Sequence, residues 1–118
     1  MSTWQSVVVH CADPVAMARF WSAALGLPPV PEDAPHVAAG TLPAGESVEL
    51  SDGVRPTVWL TPAGDLAPAR GRLHLDVRLA NDADLDRLLA LGATVVRTEA
   101  DWTVLADPEG NEFCAVHP

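Results

Sequence analysis

The first apolar stretch, Ser6-Val7-Val8-Val9-His10-Cys11, is dominated by β-branched residues and predicts a strand with a buried face. Strand parity puts Ser6 and His10 on one side of it and Cys11 on the other, toward the helices. Asp13-Pro14 follows. Asp is a strong N-cap, and Pro suits the first helical position, where its missing N–H costs nothing. Met17, Phe20, Trp21, Ala24 and Leu25 then recur at three- and four-residue spacing, one helical face that Gly26 closes, so a helix is predicted over 14–25. Between Pro28 and Gly45 the prolines at 28, 29, 31, 35 and 43 break any long element, which leaves loop and one short strand near 36–41.

Ser47–Ser51 and Thr57–Thr61 read as strands joined around Asp52-Gly53. Beyond a linker the pattern repeats. Leu73–Leu79 alternates cleanly, with Leu73, Leu75, Val77 and Leu79 on one face and His74, Asp76 and Arg78 on the other. A helix over 82–91 turns Leu85, Leu88 and Leu89 inward and ends Ala90-Leu91-Gly92, as the first ends Ala24-Leu25-Gly26. Strands follow at 93–98, 102–106 and 112–117, the last two joined by the turn Asp107-Pro108-Glu109-Gly110-Asn111. Each half reads strand–helix–strand–strand–strand. Neither half is large enough for its own core, so the expectation is a single domain over 1–118, with module one at about 4–62, a linker at about 63–71 and module two at about 72–118. One helix per run of strands points to the α+β class: two tandem βαβββ modules in a cupped mixed sheet, helices outside.

Composition narrows the chemistry. The 118 residues include no Lys, Tyr or Ile, and seven Arg face sixteen carboxylates for a net charge of −9. Without Lys there is no Schiff-base chemistry and no P-loop phosphate lysine. A surface this negative repels phosphate backbones and anionic lipid, so neither nucleic acid nor membrane is the expected partner. With no signal-peptide pattern and no long apolar run, the expected location is the cytoplasm, where Cys11 and Cys114 read as free thiols. There is no Gly-rich phosphate loop, no paired-Cys zinc spacing and no nucleophile elbow.

The segments Val7-Val8-Val9 through Asp13-Pro14, Phe20-Trp21, Leu25-Gly26, His74-Leu75-Asp76-Val77, Leu91-Gly92-Ala93 and Trp102 through Cys114 resemble the vicinal oxygen chelate superfamily. That superfamily includes glyoxalase I, extradiol dioxygenases and the fosfomycin- and bleomycin-resistance proteins. "WTVLADPEGNEFCAV" looks most like the glyoxalase-like domains common in actinobacteria. The resemblance implies a cup with metal ligands drawn from the first and last strands of each half, and often a homodimer. Carried over residue by residue, those four positions fall on Ser6, Trp59, His74 and Cys114. Ser is a poor ligand and Trp is none. His10 lies about 13 Å further along the strand than Ser6, too far for one coordination sphere.

The expectation is therefore a small-molecule-binding protein of the glyoxalase/bleomycin-resistance type with a degenerate metal site. Its cup is lined by Ser6, His10, Trp59, His74, Asp76, Arg78 and Cys114, and its ligand is small and apolar or aromatic, stacked on Trp59. No cofactor is expected. The alternative is a divalent metal ion on His74 and Cys114, serving a lyase, isomerase or dioxygenase. A third reading is a metal-free enzyme with His74 as proton shuttle. Three bland readings stand beside these: a structurally satisfied His74, an Asp76–Arg78 ion pair, and Cys114 as a small core residue. The face of Trp102 is not assignable from the pattern.

Overall fold

The computed structural model describes residues 1–63, 73–106, 108 and 110–118. Among them the element order is β1 (Thr3–Cys11), α1 (Pro14–Leu25), α2 (Ala34–Ala39), β2 (Val48–Leu50), β3 (Thr57–Pro62), β4 (Leu73–Arg78), α3 (Asp82–Ala90), β5 (Thr94–Thr98), β6 (Trp102–Ala106) and β7 (Glu112–Val116). This is the α+β class that the pattern predicts. The chain divides into two compact units: a central unit, Val7–Leu73, and a terminal unit made of Met1–Ser6 with His74–Pro118. The expected linker lies almost wholly outside the described residues.

In the central unit the strand order is β2-β3-β1, with β2 antiparallel to β3. Helix α1 forms as its sequence dictates. The Asp13 carboxylate accepts from Ala16 N–H at 3.1 Å, Pro14 takes the first turn, and Gly26 at φ 67° ends the helix. Arg55 secures that end: it donates to the Leu25 and Gly26 carbonyls at 3.3 and 3.2 Å and to Asp52 at 2.7 Å. The buried side differs from the expected one. Ala18 is fully buried and Met17 and Trp21 pack beside it, whereas Phe20 (58% exposed), Ala24 and Leu25 stay outside. Helix α1 packs on β2 and β3, and Ala18 is the side chain fully enclosed there. The core comprises Cys11, Ala18, Leu27, Val37, Val48, Leu50, Val58 and Leu60.

The strand expected near 36–41 is instead helix α2. Pro35 sits in its first turn and Gly40 ends it at φ 70°, two signals that favour a helix over an extended run. Arg19 of α1 donates twice to the Val37 carbonyl, at 3.1 and 2.7 Å, which satisfies an acceptor near the helix end while Val37 fills the core. The first half thus runs strand–helix–helix–strand–strand. The second keeps the expected strand–helix–strand–strand–strand.

In the terminal unit the order is β4-β7-β6-β5, with β4 parallel to β7 and the remaining pairs antiparallel. Leu79, Leu105 and Ala115 form its buried core under Leu85, Leu88 and Leu89 of α3. Leu73 and Leu75 keep the predicted alternation but are exposed, since the packed cluster begins further along β4, with Val77 and Leu79. Asn81 caps α3 by accepting from Asp84 N–H at 3.1 Å. The fully buried Asp84 carboxylate answers by accepting from Ala80 N–H at 2.8 Å and Arg87 at 2.7 Å. Between β5 and β6 the register shifts, because Val95 opposes Leu105 and Arg97 opposes Val104, leaving Val96 as an extra residue. Of the turn predicted at 107–111, Asp107 and Glu109 lie outside the described residues, and Gly110 has the positive φ (89°) that such a turn asks of glycine.

Candidate functional site

The parallel pairing of β4 with β7 places Asp76 opposite Cys114. His74, two residues before Asp76, shares its face. Ser6 reaches the same carboxylate from β1. A continuous polar chain results. Ser6 Oγ donates to Asp76 Oδ2 at 2.7 Å, Asp76 Oδ1 stands 3.3 Å from His74 Nε2, and His74 is hydrogen-bonded in turn to the Cys114 side chain. Ser6 is wholly buried, while the His74 and Asp76 side chains keep 20% and 14% of their surface open to solvent.

Burial alone would lower the pKa of His74. The hydrogen bonds to Asp76 and Cys114, with the negative charge of both, outweigh it and push the value up to about 9. The ring sits between a carboxylate and a sulfur, both of which favour its charged form. Asp76 is committed to Ser6 and His74, so the Asp76–Arg78 pair expected as a bland reading is not formed. Arg78 sits two residues on along the same face and is exposed.

Pairing also settles the face of Trp102. It lies opposite Val116, and Val104 lies opposite Cys114, so Trp102 shares the face of the polar chain and is 40% exposed. Trp4 belongs there too, two residues before Ser6 on β1, with its indole N–H donating to the Ser6 carbonyl at 3.3 Å. Sequence reasoning missed both indoles as site residues. Strand parity within a chosen register was the signal available for them.

The remaining expected residues belong to the central unit. Trp59 is half-buried on the face of β3 opposite to the core residues Val58 and Leu60. His10 is half-buried on the face of β1 opposite to Cys11. Glu49, which the sequence did not single out, is the cross-strand partner of Trp59. Burial raises its pKa, Asp33 and Glu32 add to the rise, and a hydrogen bond with Thr57 opposes it. Both thiols are free, Cys11 in the core beneath α1 and Cys114 half-buried in the polar chain.

The sequence offers His74 and Cys114 as a possible two-ligand metal site, expected to be weak. In the structure Asp76 joins them, and one ligand atom from each of the three lies within 4.8 Å of the others. Three protein donors leaving a fourth position open is the pattern of a catalytic zinc site, so the residues present fit a divalent cation. Bound there, such an ion would act as a Lewis acid toward a ligand oxygen.

Residues 6–116 match the family profile described as the glyoxalase-like domain, and the chain belongs to that family. No curated protein matches it. Among solved structures, a glyoxalase/bleomycin resistance protein/dioxygenase superfamily member from Vibrio splendidus 12B01 superposes with a TM-score of 0.62 at 16% identity, covering 98% of this chain and 100% of that one. A protein described as the NAD-dependent benzaldehyde dehydrogenase of Legionella pneumophila gives 0.61 at 11% identity over 94% and 96%. An uncharacterized protein from Methanosarcina mazei gives 0.55 at 12% over 98% and 93%. At such identities the likeness is one of fold. It agrees with the superfamily that the sequence segments resemble. No described helix is long and apolar enough to cross a membrane.

Proposed function

We propose that this glyoxalase-like domain is a small-molecule-binding protein of the glyoxalase/bleomycin-resistance type, taking an apolar or aromatic ligand. One observation carries the reading. Opposite its helix-packed core, the terminal unit has a strand face with a half-buried polar chain, Ser6–Asp76–His74–Cys114, flanked by two exposed indoles, Trp4 and Trp102. Exposed large apolar rings beside a few convergent polar groups are what a ligand surface needs: stacking area, and fixed partners for orientation. Arg78 extends the candidate lining. The −9 charge supports a reading without nucleic-acid or membrane partners, and the protein is read as a cytoplasmic homodimer.

A second reading, a metal-dependent lyase, isomerase or dioxygenase with His74 as ligand, is favoured by the three converging donors. A thermal-shift screen of small aromatic compounds, followed by calorimetry, tests the first. A hit weakened about 10-fold or more by Trp102→Ala or His74→Ala supports it. A hit indifferent to both substitutions, or an aromatic set without any hit, overturns it.

A further inference from the structure

Five of the seven arginines lie among the described residues, and four of these are committed. Arg19 holds the Val37 carbonyl, Arg55 pairs with Asp52, Arg87 with Asp84 and Arg97 with Glu99. The fifth, Arg78, is exposed on the candidate site face and has neither a hydrogen bond nor an ion pair among the described residues. That is unexpected in a chain with sixteen carboxylates. We propose that Arg78 is the anion-binding residue of the site, and that the ligand is an aromatic carboxylate. Its ring lies against Trp102 while its carboxylate meets the Arg78 guanidinium. The proposal rests on the reading of this face as a surface for aromatic ligands and adds to it the ligand's charge.

Sheet register brings the two residues to one place. Val116 of β7 pairs with Arg78 of β4 on one side and with Trp102 of β6 on the other, so the three form one row on the same face. Two strand spacings separate Arg78 from Trp102, roughly 10 Å between Cα atoms, and the half-buried Val116 is the apolar floor between them. A flat ring seated on that floor reaches the indole on one side and turns a carboxylate toward β4 on the other. The guanidinium is a planar fork that matches a carboxylate with two parallel hydrogen bonds. Of the described carboxylates on this face of the unit's strands, two are already answered. Asp76 accepts from Ser6 and stands 3.3 Å from His74. Glu99, whose backbone N–H donates to the Trp102 carbonyl, is paired with Arg97 at 3.0 Å. The third, Glu112, lies four residues from Val116, about 13 Å along the strand, where salt screens its repulsion. An ion pair at an exposed position contributes little by itself, so a bare anion is not enough. The ligand has to bring ring and charge together.

The experiment titrates the full chain by calorimetry with 2-naphthoate and with its neutral, nearly isosteric amide, 2-naphthamide. The expected result is one saturable site per chain at which the carboxylate binds about 10-fold tighter than the amide, the scale of a hydrogen bond to a charged group. Arg78→Gln should weaken 2-naphthoate by about 10-fold and leave 2-naphthamide unchanged, which erases the difference. Arg78→Lys keeps the charge without the fork and should fall in between. Trp102→Ala should weaken both probes alike. Arg97→Gln removes an arginine of the same face that is already paired, and should leave both affinities as they are. Circular dichroism confirms the fold of each variant, and where Arg78→Gln is unfolded, Arg78→Lys and the pair of probes decide. Equal binding of the two probes to wild type leaves the aromatic reading standing and overturns this one. A carboxylate preference that persists in Arg78→Gln overturns it as well, as does displacement of 2-naphthoate by equimolar acetate. Binding of neither probe overturns both readings.

Discussion

The two units of this chain close on their interiors in different ways. In the central unit eight buried apolar side chains from both helices, all three strands and the segment after α1 form one cluster, and Val9, Met17, Trp21 and Leu42 pack against it. Among the described residues of the terminal unit, only Leu79, Leu105 and Ala115 are buried in the cluster, and the leucines of α3 are half-covered. The terminal unit replaces apolar burial with polar commitments. Asp84 ties the start of α3 to the chain around it, and Ser6, Asp76, His74 and Cys114 tie three strands together across their other face. Apolar packing is non-directional and tolerates local change, while a hydrogen-bonded chain demands specific donors and acceptors. Firmness in the central unit comes from area, and in the terminal unit from a few exact partners that also form the candidate site.

The largest test of that contrast is truncation of a leucine in each core. Leu60→Ala empties a fully enclosed site and should destabilise the protein by about 3 kcal/mol. Leu85→Ala, at a half-covered position, should cost about 1 kcal/mol. Urea unfolding measures both, and equal losses would break the comparison.

Asp84→Asn comes next, at about 2 kcal/mol near neutral pH, the sum of a weakened cap and a lost charge-assisted hydrogen bond from Arg87. The backbone N–H of Ala80 chiefly holds the Asp84 carboxyl below its ordinary value, with the terminal ammonium and Arg87 adding to the effect against the opposing cost of burial. Its folded pKa is thus depressed relative to the unfolded chain. The stabilisation is present above the unfolded value, about 3.9, and fades as pH falls through the folded one. Wild type and Asp84→Asn should therefore converge in stability on acidification. A gap that stays constant to low pH would detach this carboxylate from the fold.

Ser6→Ala should cost about 1 kcal/mol, since it orphans one oxygen of a half-buried carboxylate. A loss near that of Leu60→Ala would show that the polar chain carries far more than orientation. Phe20→Ala should change stability by less than about 0.5 kcal/mol, as expected for an exposed ring whose edge-on contact with Trp21 is its main packing.

Much of the fold could be read from local signals. Asp13-Pro14 and Gly26 bound α1 to the residue because capping is a short-range effect, and the alternation of β4 announced which residues share a face. The buried side of α1 was less legible, because periodicity ranks Phe20 above Ala18 while packing on β2 and β3 rewards the smaller side chain. Helix α2 was lost among prolines. Six residues are too few for a period, though Pro35 and Gly40 marked its ends. Part of the site was legible: His74 and Cys114 from resemblance, and the shared face of His74 and Asp76 from parity. The partnership of Ser6 with Asp76 spans seventy positions of sequence, and that of Asp76 with Cys114 depends on β4 running parallel to β7; no local pattern specifies either. Asp76 accordingly read as the partner of its neighbour Arg78, and the donor count came out one short.

The extra residue in β5 has a consequence for how copies of this protein behave when crowded together. Among the described strands β5 lies at the end of its order, and it exposes Val95 and Val96, the kind of apolar rim that invites another chain to add a strand. The irregularity at Val96 interrupts the row of outward-facing amides and carbonyls after two residues, and the Arg97–Glu99 ion pair places charge just beyond it. An arriving strand finds no uninterrupted template to zip onto. The irregularity works as a terminator, stopping the sheet from growing from one molecule into the next while the valines stay exposed.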